Sequence, residues 1–225
     1  MRVIVYVEGE SDRDAMEALL KPLLEQKREM GISINFRPAF KGDRKKFILL
    51  DVPLRAANTI LNDPHSIVAA MPDLYPKNKG FEHKTFEELE AGIVKIFNSA
   101  LQRKHAGDDD RLRERFKVFC FKHELEALIL AAEEALRQRL GIDHLEVTWQ
   151  IPVENQDHDY DQTPKRIVKK LFEKYGQDYE ETVDAPLILE KSDYRDIAEK
   201  CPQCFKPFVE FLESLQPENR SSQSG

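Results

Sequence analysis

Apolar residues fall along the chain in two patterns: short unbroken runs, and longer stretches in which they recur every three or four positions. Val3-Ile4-Val5-Tyr6-Val7 is a run of the first kind, as expected of a strand buried on both faces. Behind it, Ala15, Met16, Leu19, Leu20, Leu23 and Leu24 make a helical stripe. The spacing predicts one helix from about Asp12 towards Arg28, with Ser11 as N-cap, Asp12 and Asp14 in the first turn, a kink at Pro22 and a stop at Gly31. Ile32, Ile34 and Phe36 alternate with polar residues and predict a second, more exposed strand. A helix through Ile48, Leu49, Leu54, Ala57 and Ile60, interrupted at Pro53, leads to the strand Ser66 to Met71. A further helix covers about Thr85 to Arg103, and the strand Phe116 to Phe121 runs into a helix ending at Gly141. Four strands, each followed by a helix, predict an α/β fold with a mostly parallel central sheet and helices on both faces.

Beyond Gly141 the regularity falls. Leu145, Val147, Trp149 and Ile151 suggest one more strand, and Asp157 to Gln162 a polar loop. Thr163 and Pro164 open a helix as N-cap and first residue. Two short helices follow, around Asp193 to Lys200 and from Phe205 to Leu215, before a Pro-, Ser- and Gln-containing tail expected to be disordered. The expected organisation is a core over 1–141, a small helical extension over 142–215 packed on it, and a tail over 216–225.

The 225 residues carry 34 Lys and Arg against 41 Asp and Glu, so the net negative charge gives no global attraction to nucleic acid or an anionic membrane. Contact with nucleic acid must then be local or metal-bridged. No apolar stretch has the length of a membrane span and the N-terminus lacks a signal-peptide pattern, which points to a cytoplasmic protein. Cys120, Cys201 and Cys204 are an odd number and fit a reducing compartment. The Cys201-Pro202-Gln203-Cys204 pair supplies half a zinc site with no second pair to complete it, so free thiols are expected. Gly107-Asp108-Asp109-Asp110 reads as a solvated acidic loop.

The chemistry concentrates where strands end. Glu8 follows the first strand, Asp73 follows Ser66 to Met71, and Glu124 and Glu126 follow Phe116 to Phe121. In open α/β sheets that edge is where ligands bind. If 123–126 is extended, Glu124 and Glu126 point to one side; if it is helical they diverge, and His123 shares a face with Glu126.

Val7-Glu8-Gly9-Glu10-Ser11-Asp12 after a first strand, with Asp73 after a later one, resembles the Toprim fold of topoisomerases, bacterial primases and OLD-family nucleases. More closely, the chain resembles the DUF4276 family of Toprim-like proteins, through Val5 to Asp12, Met71 to Tyr75, His123 to Leu130, Thr163-Pro164-Lys165-Arg166, and Cys201-Pro202 with Phe205 and Leu212. One departure stands out: where Toprim enzymes carry an Asp-x-Asp pair, this chain has Asp73-Leu74-Tyr75. The resemblance implies a metal-dependent nuclease using Mg²⁺ or Mn²⁺, the effector of a prokaryotic defence system. Glu8 and Asp73 would be catalytic metal ligands, with Glu124 and Glu126 substituting for the carboxylate absent at Tyr75. Asp12, His123 and Tyr75 would support the ligands. Lys165, at a helix N-terminus that itself attracts phosphate, would stabilise the transition state as a fixed cation. Arg166, Lys169 and Lys170, with Lys45 and Lys46, would form a local basic track for DNA or RNA. The alternative is a non-catalytic subunit or regulator that binds a partner protein such as an ATPase. A homodimer is compatible with either.

Overall fold

The computed structural model describes residues 1–39, 42–75, 77–107, 109–155 and 162–217. Asp108, the polar positions 157–161 and the tail beyond 217 lie outside the described residues. The first half of the chain comprises β1 (Arg2–Val7), α1 (Glu10–Leu19), α2 (Lys21–Glu29), β2 (Ser33–Pro38), the single turn α3 (Arg44–Lys46), a π-helical stretch Phe47–Asp51, α4 (Val52–Asn62) and β3 (Ser66–Met71). Next come α5 (Phe86–Arg103), α6 (Asp110–Glu114), β4 (Phe116–Val118), α7 (Glu126–Ala131) and α8 (Glu133–Leu140). The remainder is helical: α9 (Pro164–Lys174), α10 (Glu181–Leu189), α11 (Tyr194–Lys200) and α12 (Phe205–Ser214).

Among the described residues the strands form one four-stranded sheet in the order β2-β1-β3-β4, and every neighbouring pair is parallel. This is the α/β class that the alternating runs and stripes predict. Successive strand residues point to opposite faces, and two buried clusters result. Val3, Val5, Val7, Ala69 and Met71 pack on one face with Ala15, Met16 and Leu19 of α1 and with the apolar sides of α7 to α12. Ile4, Tyr6, Val68 and Ala70 pack on the other with Ile48, Ala57 and Ile60, and with Leu89, Ile93 and Phe97 of α5. Residues after Gly141 therefore share the core that α1 helps to build. No described helix is long and apolar enough to cross a membrane.

Several local expectations are corrected. The single kinked helix is two, broken at Leu20, because Pro22 in the first turn of α2 has no N–H to continue the ladder. The N-cap of α1 is Gly9, and Ser11 turns its hydroxyl elsewhere. The helix expected to end at Gly141 breaks at Ala132 into α7 and α8, with Gly141 left-handed at the close of α8. The alternating segment 145–151 forms no strand: Leu145 and Trp149 are buried while Val147 and Ile151 are exposed. Alternation alone makes no strand without a ladder partner, and this segment pairs with neither edge of the sheet, β2 or β4. Helix α10, with Pro186 in its interior, lies in a segment where the sequence pattern marks none.

Candidate active site at the carboxyl edge of the sheet

Because β1 and β3 are paired in register with Val7 opposite Met71, the residues that follow them emerge side by side. Glu8 Oε1 accepts a hydrogen bond from the Asp73 backbone N–H at 3.0 Å. Asp73 is in turn bridged to Phe121 beyond the end of β4, where Phe121 N–H donates to Pro72 and Leu74 N–H donates to Phe121. The strand expected to reach Phe121 thus loses its regular ladder at Val118 yet still fixes the backbone of Asp73.

Both carboxyls have a raised pKa, and the charge of Glu8 acts on Asp73. Burial pushes Glu8 up to about 7, opposed by the Asp73 N–H and the charge of Lys45. Asp73 is held well above the ordinary range, by burial first and then by the charges of Glu8 and Asp12. Lys45, expected among the nucleic-acid contacts, has its side chain buried, 2% exposed. Its ammonium donates to the Leu74 carbonyl at 3.1 Å. Burial lowers its proton affinity, and Glu8 and Asp73 act to restore it. Lys45 is thus an internal counter-charge to the carboxyl pair, whereas Lys46 beside it is exposed.

Asp12 is buried in the first turn of α1 and accepts the Gly9 N–H at 2.7 Å, which fixes the turn carrying Glu8. A Cβ on Gly9 would lie 3.2 Å from Ser11 Oγ and 3.3 Å from the Arg44 guanidinium, so the close approach favours glycine. His123 is buried and stacks on Tyr75, with ring centroids 5.6 Å apart and planes at 16°. Lys77 lies over the Tyr75 ring.

A second constellation adjoins the first. Glu124 Oε2 accepts the backbone N–H of Lys165 at 3.1 Å, capping α9. Glu126, 1% exposed, accepts from Tyr179 Oη at 3.2 Å and lies 3.4 Å from Lys165 Nζ. Burial pushes Glu126 up to about 7. Lys165 also pairs with Glu181, which receives the Ser11 hydroxyl at 2.7 Å. Burial opposes the Lys165 charge, but Glu126 and Glu181 overcome it and hold the ammonium above its ordinary range. Glu124 and Glu126 therefore diverge: one faces the start of α9 and the electrostatic surroundings of Asp73, the other the Lys165 ammonium.

Next to these groups an open groove of about 480 Å³ is lined by Glu124, Thr163, Lys165, Arg166, Lys169, Lys170 and Glu173. Lys169 and Lys170 are exposed there. The groups expected at one site are thus distributed over two adjoining ones: Glu8, Asp73 and Lys45, and Glu126, Lys165 and Glu181. Asp12 and Glu124 act electrostatically on both. Among the described residues no three His, Cys, Asp or Glu side chains converge into a preformed metal site. The hard oxygen donors of Glu8 and Asp73 nevertheless fit Mg²⁺ or Mn²⁺, since Mg²⁺ takes one or two carboxylates plus water and phosphate oxygens. The three cysteines are free and buried, with Cys120 and Cys204 sulfurs 3.0 Å apart.

Glu181 and Tyr179 have no motif to mark them, and Ser11 stands in the Val7-to-Asp12 motif but reads there only as a helix cap. Ser11 meets Glu181 where α10 packs against α1, and Tyr179 joins through Glu126.

Among solved structures, the chain is similar to the C-terminal region of the Burkholderia pseudomallei OLD protein, at 16% identity and TM-score 0.46 over 94% of this chain and 96% of that one. The C-terminal region of the Xanthomonas campestris pv. campestris OLD protein matches at 15% identity and TM-score 0.42, over 93% of each chain. No curated protein matches. The family model described as "Domain of unknown function (DUF4276)" matches residues 7–213, and the chain belongs to that family.

Proposed function

We propose that this protein is a metal-dependent nucleic-acid phosphodiester hydrolase of Toprim type. The observation that carries the reading is the pairing of Glu8 and Asp73 at the carboxyl edge of adjacent parallel strands, beside a groove lined by Lys165, Arg166, Lys169 and Lys170. Two desolvated carboxyls, placed so that the charge of Glu8 acts on Asp73, are unfavourable in the absence of positive charge. Glu8 and Asp73 would hold Mg²⁺ or Mn²⁺, with Glu124 the nearest candidate for a third oxygen donor. When bound, such an ion polarises a phosphoryl oxygen and lowers the pKa of a water. The chain's own residues do the rest. Asp12 and Gly9 fix the Glu8 turn, Lys165 offers a cation to the developing phosphate charge, and Arg166, Lys169 and Lys170 offer a local track for DNA or RNA despite the acidic whole. A role as a prokaryotic defence effector rests on the family resemblance alone.

One observation favours the alternative, a non-catalytic subunit that binds a partner protein such as an ATPase. Both acidic centres already contain a cation, Lys45 near Glu8 and Asp73, and Lys165 between Glu126 and Glu181. Incubation of labelled single- and double-stranded DNA and RNA with Mn²⁺ separates the two. The hydrolase reading expects cleavage by the wild type that is lost in Glu8→Gln and in Asp73→Asn; cleavage that survives both changes places the chemistry elsewhere.

A further inference from the structure

The two carboxylates that hold Lys165 are not equivalent. Glu126 is sealed in the interior and receives the Tyr179 hydroxyl as well as the ammonium. Glu181 stands in the first turn of α10 with about 30% of its side chain exposed, and its partners are the Lys165 ammonium and the Ser11 hydroxyl. Water can solvate a released Glu181, whereas a released Glu126 would remain a buried, unpaired acid. Lys165, its side chain about 31% exposed, is one of the residues lining the open groove with Arg166, Lys169 and Lys170, and Lys169 also acts electrostatically on Glu181. The positive field that would draw a phosphate into the groove is thus the field that holds Glu181.

We propose, building on the hydrolase reading, that Glu181 is an internal stand-in for a substrate phosphate, occupying Lys165 until a phosphodiester or polyphosphate anion in the groove takes its place. Glu126 keeps Lys165 in position throughout the exchange. The exchange also reaches the carboxyl edge: Ser11 holds Glu181 from the first turn of α1, three residues after Glu8, so displacing Glu181 releases a hydroxyl beside the turn that carries Glu8. Glu181 is on this account a positioning residue, acting on substrate only through Lys165.

Competition predicts a gain on removal. Binding is measured on the full chain in EDTA, with a fluorescein-labelled oligothymidylate by anisotropy and with inorganic tripolyphosphate by calorimetry. Glu181→Gln should bind both probes about three- to tenfold more tightly, the scale of one partly exposed, charge-assisted pair. Removing a negative charge anywhere near the groove favours anions, so two controls are needed. Glu173→Gln, in the same groove, should gain less than Glu181→Gln, and the gain from Glu181→Gln should vanish in a Lys165→Met background. If Glu181→Gln does not fold, Ser11→Ala loosens Glu181 without changing charge and should give a smaller gain with the same dependence on Lys165. Weaker binding, unchanged binding, or a gain that persists without Lys165 overturns the inference. A Lys165-dependent gain with no Mn²⁺-dependent cleavage overturns the hydrolase reading alone; cleavage without the gain overturns only the role of Glu181.

Discussion

Replacing Glu8 by Gln should stabilise the metal-free protein, by an amount that grows as pH rises from the unfolded to the folded pKa of Glu8 and is complete above it. The side chain keeps its size and an oxygen to accept the Asp73 N–H. In the fold the carboxyl ionises near 7, a value that already includes the attraction of Lys45; unfolded, a glutamate ionises near about 4.3. A group whose folded pKa is raised binds its proton more tightly in the native state, so its contribution to stability falls as pH rises from the unfolded value to the folded one. Once both states are ionised the full difference is about 3–4 kcal/mol, at about 1.36 kcal/mol per pH unit. Glu8 is only partly buried, so solvent screening reduces this to about 1–2 kcal/mol. For a protein of this size that corresponds to a rise in Tm of roughly 2–8 °C. Thermal unfolding in EDTA at pH 5 and pH 8 measures it. Glu8→Gln should melt above the wild type at pH 8 and close to it at pH 5, and Mn²⁺ at pH 8 should raise the wild type but not the variant. A variant less stable at pH 8, or a gain equally large at pH 5, would refute the reasoning.

Other outcomes follow from the same geometry. Lys45→Met leaves Glu8 and Asp73 without their buried cation and should cost about 3–5 kcal/mol at pH 8, with Mn²⁺ recovering much of the loss; calorimetric unfolding with and without the ion checks both. Tyr179→Phe removes one donor to Glu126 and should cost about 1–3 kcal/mol in denaturant titrations while leaving oligonucleotide affinity intact. Lys169→Ala and Lys170→Ala should each weaken oligonucleotide binding and lower the slope of log affinity against log salt by about 1. Lys165→Ala should instead reduce the cleavage rate by orders of magnitude with little change in metal affinity; a loss confined to binding would make it one more contact in the track.

What was readable in the chain was whatever depends on near neighbours. The β-branched run Val3 to Val7 and the stripe behind it required a buried strand feeding a helix, and the repeated order required parallel pairing. The position of Glu8 and Asp73 at one edge followed from these together, because parallel strands deliver the residues after them to the same side. The partners of Lys165 were invisible for the opposite reason. Glu181 lies 16 residues beyond it on a helix whose interior proline hides its pattern, and Ser11 reaches it only when α10 packs on α1. Lys45 reads in the sequence as a nucleic-acid contact beside Lys46, and only the pairing of β1 with β3 shows that its ammonium belongs to the acidic edge. Segment 145–151 shows the limit of alternation: Leu145 and Trp149 are buried without a ladder partner.

The central claim is that the Glu8–Asp73 edge holds a divalent cation, and anomalous diffraction at the manganese edge from crystals grown with Mn²⁺ tests it most directly. The account predicts a peak between the Glu8 and Asp73 carboxylates, with the Lys45 ammonium drawn back from them, and no peak in crystals of Asp73→Asn. A map with Lys45 still seated and no manganese at that edge would contradict it.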